Sequence, residues 1–136
     1  AFSKNTLKVK AMGKTQTTGN SGEEMTAKFL KGRGYIISAR NYRSRFGEID
    51  VIAENNEMIL FVEVKTRSVK SEILPREFVD KEKQRKIRIT AGIYLQRNVS
   101  GLQPRFDVAE ILVNEDGSRH LKYIENAFGA DGFELL

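Results

Sequence analysis

The sequence predicts an α/β (or α+β) domain in which one mixed sheet of about five strands is flanked by helices. Three observations carry this. The elements run helix, three strands, helix, two strands; the most apolar strand is apolar on both faces; and neither an internal repeat nor a second hydrophobic unit interrupts the chain. At 136 residues there is enough chain for one core, with roughly two-thirds of the unfolded surface buried.

Residues 1–18 carry Lys, Thr and Gly without hydrophobic periodicity, and read as a mobile basic tail ahead of a single domain over 19–136. Ser21-Gly22-Glu23-Glu24 spells a capping box, with Ser21 as N-cap and Glu24 reaching back; Gly32 and Gly34 close that helix. Strands follow over 35–43 and 48–54, and Asn55-Asn56-Glu57 turns the chain into a third over 58–66. A loop around Pro75 leads to a helix over about 80–96, with Ile87, Ala91, Tyr94 and Leu95 at helical spacing. Two strands, 106–113 and 121–125, are joined by the turn Glu115-Asp116-Gly117-Ser118.

Composition excludes several chemistries. Cysteine is absent, which removes disulfides, thiolate nucleophiles and cysteine-ligated zinc; the single His120 leaves no histidine-rich metal site and no Ser-His-Asp triad. No apolar run approaches the ~20 residues of a membrane helix, and none follows the N-terminal lysines, so no membrane partner or secretory signal is expected and the cytoplasm is the expected compartment. The net charge of +5 is uneven. The segments 28–45 and 81–97 are strongly basic, whereas the stretch from Asp107 onward is acidic. Basic segments flanking a group of carboxylates suit a polyanionic partner, although solvated helix faces give such runs too.

The carboxylates are the informative residues. Strand alternation puts Ile59, Phe61, Glu63 and Lys65 on one face and Met58, Leu60, Val62 and Val64 on the other. A strand apolar on both sides is covered on both sides. Glu63 and Lys65 therefore end a buried stripe, where ions cost several kcal/mol unless paired with each other or bound to metal. On the preceding strand Glu48, Asp50 and Ile52 share a face, against Ile49, Val51 and Ala53. A two-residue hairpin loop at Asn56-Glu57 sets Asp50 opposite Glu63; one at Asn55-Asn56 sets it opposite Phe61, diagonal to Glu63. Both bring two mutually repelling acids within reach of one hard cation, magnesium or manganese, whereas an odd-length loop without a bulge would separate them. Glu23 falls on the helix arc of Ala27 and Leu30, so it either points at the strands or simply favours the helix N-terminus.

Asp50, twelve residues, then Glu63-Val64-Lys65 resembles the Asp…Glu-x-Lys signature of the restriction-endonuclease-like nucleases. Gly22-Glu23, Gly34-Tyr35, Asn41-Tyr42-Arg43, Gly47-Glu48-Ile49-Asp50, Phe61-Val62-Glu63-Val64-Lys65-Thr66-Arg67, Lys83-Gln84 and Arg105-Phe106-Asp107-Val108 together look like the bacterial YraN family, over roughly residues 19–128. By fold that family is grouped with archaeal Holliday junction resolvases. The resemblance implies a restriction-endonuclease-like fold with Asp50 and Glu63 as metal ligands, the Val64 carbonyl as a third, and Glu23 as the helix-borne acid. Lys65 would orient or deprotonate the attacking water, and Lys83 and Gln84 match the basic start of the later helix. Ile73-Leu74-Pro75 departs from the glycine-containing loop usual in that family.

The activity so implied is phosphodiester hydrolysis by water, assisted by one or two magnesium (or manganese) ions, on structured or branched DNA. Arg40, Arg43, Arg45, Arg67, Lys83, Gln84 and Arg85 are the candidate phosphate contacts, with Tyr42 the candidate for base stacking. Junction resolution implies a two-fold homodimer. The competing reading is a nucleic-acid-binding module of the same fold, in which Asp50 and Lys65 form a structural pair; a third is a protein-interaction domain. Asp107 has no chemistry beyond a pairing with Arg105, and His120 reads as a solvent-facing strand residue.

Overall fold

A computed structural model describes residues 20–70 and 79–129; the N-terminal tail and the Ile73-Leu74-Pro75 loop lie outside the described residues. The elements are α1 (Asn20–Gly32), β1 (Ile36–Arg43), β2 (Glu48–Glu54), β3 (Met58–Ser68), α2 (Lys81–Arg97), β4 (Gln103–Val113) and β5 (Arg119–Phe128). They form one five-stranded sheet in the order β1-β2-β3-β4-β5. All neighbours are antiparallel except β3 and β4, which run parallel, as strands joined through a helix can. This mixed α/β arrangement is consistent with the restriction-endonuclease-like fold that the resemblance implies. No helix among the described residues is long and apolar enough to cross a membrane.

Among the described residues, each face of the sheet carries one helix. Ile59 and Phe61 pack with Ile52, Phe106 and Val108 under Ile87, Ala91 and Tyr94 of α2. Leu60 and Val62 pack with Val51, Ala53, Ala109 and Tyr123 under Leu30 of α1. The two-sided burial of β3 follows from its sequence, and it fixes where that apolar stripe can end: at the first charged side chains, Glu63 and Lys65. Helix α2 starts on Asp80, whose side chain accepts from the Lys83 N–H at 2.9 Å. Gly34, at φ 93°, supplies the left-handed residue that turns the chain out of α1.

Three local expectations are corrected. Helix α1 is already under way at Asn20, so Ser21 lies inside it rather than capping it. The Ser21 hydroxyl meets Arg119 of β5, and Glu24 pairs with Arg40 of β1 at 3.1 Å, so no capping box forms. Long-range cations outcompete the local motif. Ile49 joins the α2-side core with Ile52, although simple alternation would put these two on opposite faces. The ladder between β1 and β2 runs from Arg40↔Val51 to Tyr42↔Ile49, and between these pairs Asn41 takes φ 54°. The pleat is thus broken at Asn41 and Asp50. Finally β4 begins at Gln103 and β5 continues to Phe128, past a register shift near Asn126, also at positive φ. That extension stacks Phe128 on Phe106, with centroids 5.2 Å apart.

The start of α1 lies directly on the sheet. A Cβ at Gly22 would come within 3.0 Å of Thr66 Oγ1, 3.2 Å of Ile111 Cγ1 and 3.3 Å of Val64 Cγ1. Gly22→Ala is therefore expected to destabilise by about 1–3 kcal/mol, as overpacked cores do, because the three β-branched side chains it would meet are stiff and packed between helix and sheet. Urea unfolding checks this; an unchanged midpoint would mean that α1 is not seated this closely.

Candidate active site

The hairpin register decides whether the two acids meet. Val51↔Val62, Ile52↔Phe61, Ala53↔Leu60 and Glu54↔Ile59 are Cα partners, which is the register of a two-residue loop at Asn56-Glu57. Asn55 holds that loop, its side chain accepting from the N–H groups of Glu57 and Met58 at 2.8 Å each. One step further, the same register sets Asp50 opposite Glu63. There the ladder gives way to a side-chain contact: Asp50 Oδ2 accepts from the Val64 N–H at 2.8 Å.

The charge of Glu63 acts on Asp50. Burial first, then the charge of Glu63, raises the Asp50 carboxyl from 3.8 to about 7. The Val64 N–H opposes this, and the charges of Glu23 and Glu48 add to it. Glu23 arrives from α1, where its carboxylate accepts from Asn41 Nδ2 at 3.1 Å. It thus faces the strands while standing in the first turn of its helix. The left-handed backbone at Asn41 is what carries that amide to the acid beside Asp50.

Glu63 is 6% exposed, and its partner is Lys83 in the first turn of α2, with Nζ 2.7 Å from Oε2. The Glu63–Lys65 pair does not form. Burial draws the Lys83 ammonium down, but the hydrogen bond and charge of Glu63, with Asp50 and Asp80 behind it, outweigh burial and raise it. Lys65 is half-buried, with its Cα paired to that of Glu110 on β4. So Asp50, Glu63, Lys83 and Glu23 form one cluster drawn from β2, β3, α2 and α1, while Lys65 lies two residues beyond Glu63 along β3.

Among the described residues no three His, Cys, Asp or Glu side chains form a ready-made metal cage. The protein offers two close carboxylates and the main chain of Val64. That donor set fits an ion that keeps much of its own water and takes one or two carboxylates, as magnesium does.

The remaining predicted contacts differ in what holds them. Arg40, Arg43 and Arg85 pair with Glu24, Glu48 and Glu82, with the last two pairs largely exposed. Exposed pairs of this kind exchange for a phosphate at small cost. Arg45 lies over the Phe46 ring at 5.1 Å. Gln84 donates to the Val79 carbonyl at 3.0 Å and accepts from Arg88, which ties it to the helix start. Arg67 is engaged by Glu110, a fully buried acid, and so is not a loose surface cation. Tyr42 is no stacking platform: its ring packs edge-on against Tyr94 at 5.0 Å within the α2-side core. Phe46, 42% exposed on the β1–β2 turn, is the aromatic that faces outward there. His120 is partly buried, its Nδ1 2.9 Å from Asn114 Nδ2.

Sequence reasoning missed Glu110 and Lys86. Glu110 interrupts the apolar run of β4 as Glu63 interrupts β3, and that anomaly was the available signal. Among the described residues, one of its oxygens, Oε1, has no hydrogen-bond partner. Lys86 lines a cleft of about 310 Å³ with Gly47, Glu48, Asp80, Glu82, Lys83 and Ile87, between the β1–β2 turn and the start of α2. Nothing in its sequence surroundings separates it from neighbouring surface lysines.

The signature of uncharacterised protein family UPF0102 matches residues 22–111. A UPF0102 protein of Persephonella marina is 43% identical over 114 residues, covering 83% of this chain and 94% of that protein. One of Symbiobacterium thermophilum is 44% identical over 117 residues, covering 85% of this chain and 99% of that protein. A third, of Clostridium acetobutylicum, is 43% identical over 112 residues, covering 81% and 92% respectively.

Proposed function

This chain belongs to the UPF0102 family, and from that premise we propose that it is a metal-dependent nuclease hydrolysing DNA phosphodiesters, with structured or branched DNA as its substrate class. The observation that carries this reading is that buried Glu63 and half-buried Asp50, whose carboxylate accepts from the Val64 N–H at 2.8 Å, repel each other at the end of an otherwise apolar hairpin. A fold gains nothing from that repulsion; a cation-dependent site does.

In this reading Asp50, Glu63 and the Val64 carbonyl hold magnesium or manganese, with Glu23 close behind. When bound there, the ion supplies Lewis acidity to the phosphodiester and to the water that attacks it. The Val64 N–H fixes the orientation of Asp50 at 2.8 Å, so one carboxylate oxygen stays aimed while the other is available. Lys65, two residues beyond Glu63 on β3, offsets charge at the phosphate and receives or orients the proton of the attacking water. Arg40, Arg43, Arg45 and Arg85 position the backbone without reading sequence. A homodimer would present two such sites to the two strands of a junction.

The test is a cleavage panel of linear, nicked, flapped and four-way DNA in magnesium, with binding followed separately in calcium. The parent chain should cut at least one branched form. Glu63→Gln should lose at least about a hundredfold in rate while still binding in calcium, since a ligand to the ion is gone but the basic surface is not. A parent chain that binds these DNAs and cuts none would replace this reading with the binding module of the same fold.

A further inference from the structure

Lys83 stands where electrostatics alone would not put it. It is the third residue of α2, counted from the Asp80 cap, and a cation in the first turn of a helix opposes the dipole. Its side chain nevertheless reaches Glu63 at 2.7 Å and feels Asp50. Glu63 is buried, so with Lys83 withdrawn it would be an unpaired ion in a desolvated position. A single ammonium therefore does, in the protein by itself, what a divalent ion would do in the loaded site.

We infer that the Lys83 ammonium is an exchangeable occupant of the cation position, and that a divalent metal binds Glu63 and Asp50 only by displacing it. This rests on the proposed metal-dependent reading and adds to it a competitor and a coupling. The released side chain has somewhere to go. Lys83 is 41% exposed and borders the cleft it shares with Lys86, beside the turn that carries Arg45. A backbone phosphate lying in that cleft would take up the ammonium that the metal expels. DNA and metal then favour each other's binding by the same factor, because each stabilises the state in which Lys83 has left Glu63.

Manganese titration of the intact chain, followed by electron paramagnetic resonance, tests this without any turnover. If the paired state dominates in metal-free protein, removing the competitor raises apparent affinity by its population ratio; about tenfold is expected for Lys83→Gln. Lys86→Gln makes the same charge change in the same cleft without touching Glu63, and should shift affinity far less. In the parent chain, the ¹⁵N signal of the Lys83 ammonium should be protected from exchange without metal and lose that protection on adding magnesium; this readout needs no variant. Equal shifts for the two variants, or an ammonium unaffected by saturating magnesium, would overturn the exchange while leaving a metal site intact. No manganese binding by any of the three chains would overturn both the exchange and the metal-dependent reading.

Discussion

Asp107→Ala is expected to destabilise the fold by about 3–5 kcal/mol, the cost of leaving the partner of a buried ion pair uncompensated. Asp107 is fully buried on the α1 side of β4. Its oxygens accept Nε and Nη2 of Arg105 at 2.9 Å each, the Tyr123 hydroxyl at 2.6 Å and the Asn126 N–H at 2.8 Å. Burial, and then the charge of Asp107, push the Tyr123 hydroxyl far above its usual range, so it remains a donor at any working pH. Alanine would strand a guanidinium, a buried phenol and a backbone N–H at once. Glu125, 3.8 Å from Arg105 and more exposed, cannot take over all three. Tyr123→Phe removes a single donor and should cost about 1–3 kcal/mol. Urea unfolding of the two variants separates the cases; equal losses would mean that Asp107 is not the hub that ties β5 to β4.

The sequence anticipates the pairing of Asp107 with Arg105 but not its reach to Tyr123 and Asn126, and the difference is general. Information carried within one element was legible. The two-faced burial of β3 follows from an apolar run that fills both of its faces, and the turn at Asn56-Glu57 is one of the two even-length loops that the Asn-rich spacing offers beside an odd-length one. Information carried by how elements dock was not. The choice of Lys83 over Lys65 as the partner of Glu63 depends on where α2 lands, sixteen residues beyond Lys65 at its first residue, Lys81. The capping box at Ser21 and Glu24 is a sound local motif whose two side chains are claimed by Arg119 and Arg40 from other strands. The broken pleat at Asp50 was equally hidden, because period-two alternation makes no allowance for a left-handed residue such as Asn41 on the neighbouring strand. It is this break, not regular alternation, that sets the local geometry of the acid on which the site depends.

That acid should cost the fold stability in return for its chemistry, and Asp50→Asn is expected to expose the trade. In an unfolded chain an aspartate titrates near 3.8; in the fold Asp50 titrates at about 7, chiefly because of burial and next because Glu63 is charged. Between those two values the folded chain holds more protons than the unfolded one, so stability falls as pH rises through the window. The cost is absent below about pH 4 and complete above about pH 7. At about 1.4 kcal/mol for each pH unit between the folded and unfolded titrations, it amounts to a few kcal/mol. Asparagine keeps an oxygen for the Val64 N–H and carries no charge, so it removes the cost without emptying the position. With a chelator present, the variant should unfold at higher urea than the parent at pH 8, and the two should converge as pH approaches 4. In magnesium its cleavage should be lost at every pH, since the carboxylate that would hold the ion is gone. A variant less stable than the parent at pH 8, or a gap that widens toward acid, would show Asp50 to be a stabilising ion. Two acids held together at a measurable loss of stability are what a site selected for cation chemistry requires, and a merely structural Asp50–Lys65 pair would give the opposite sign.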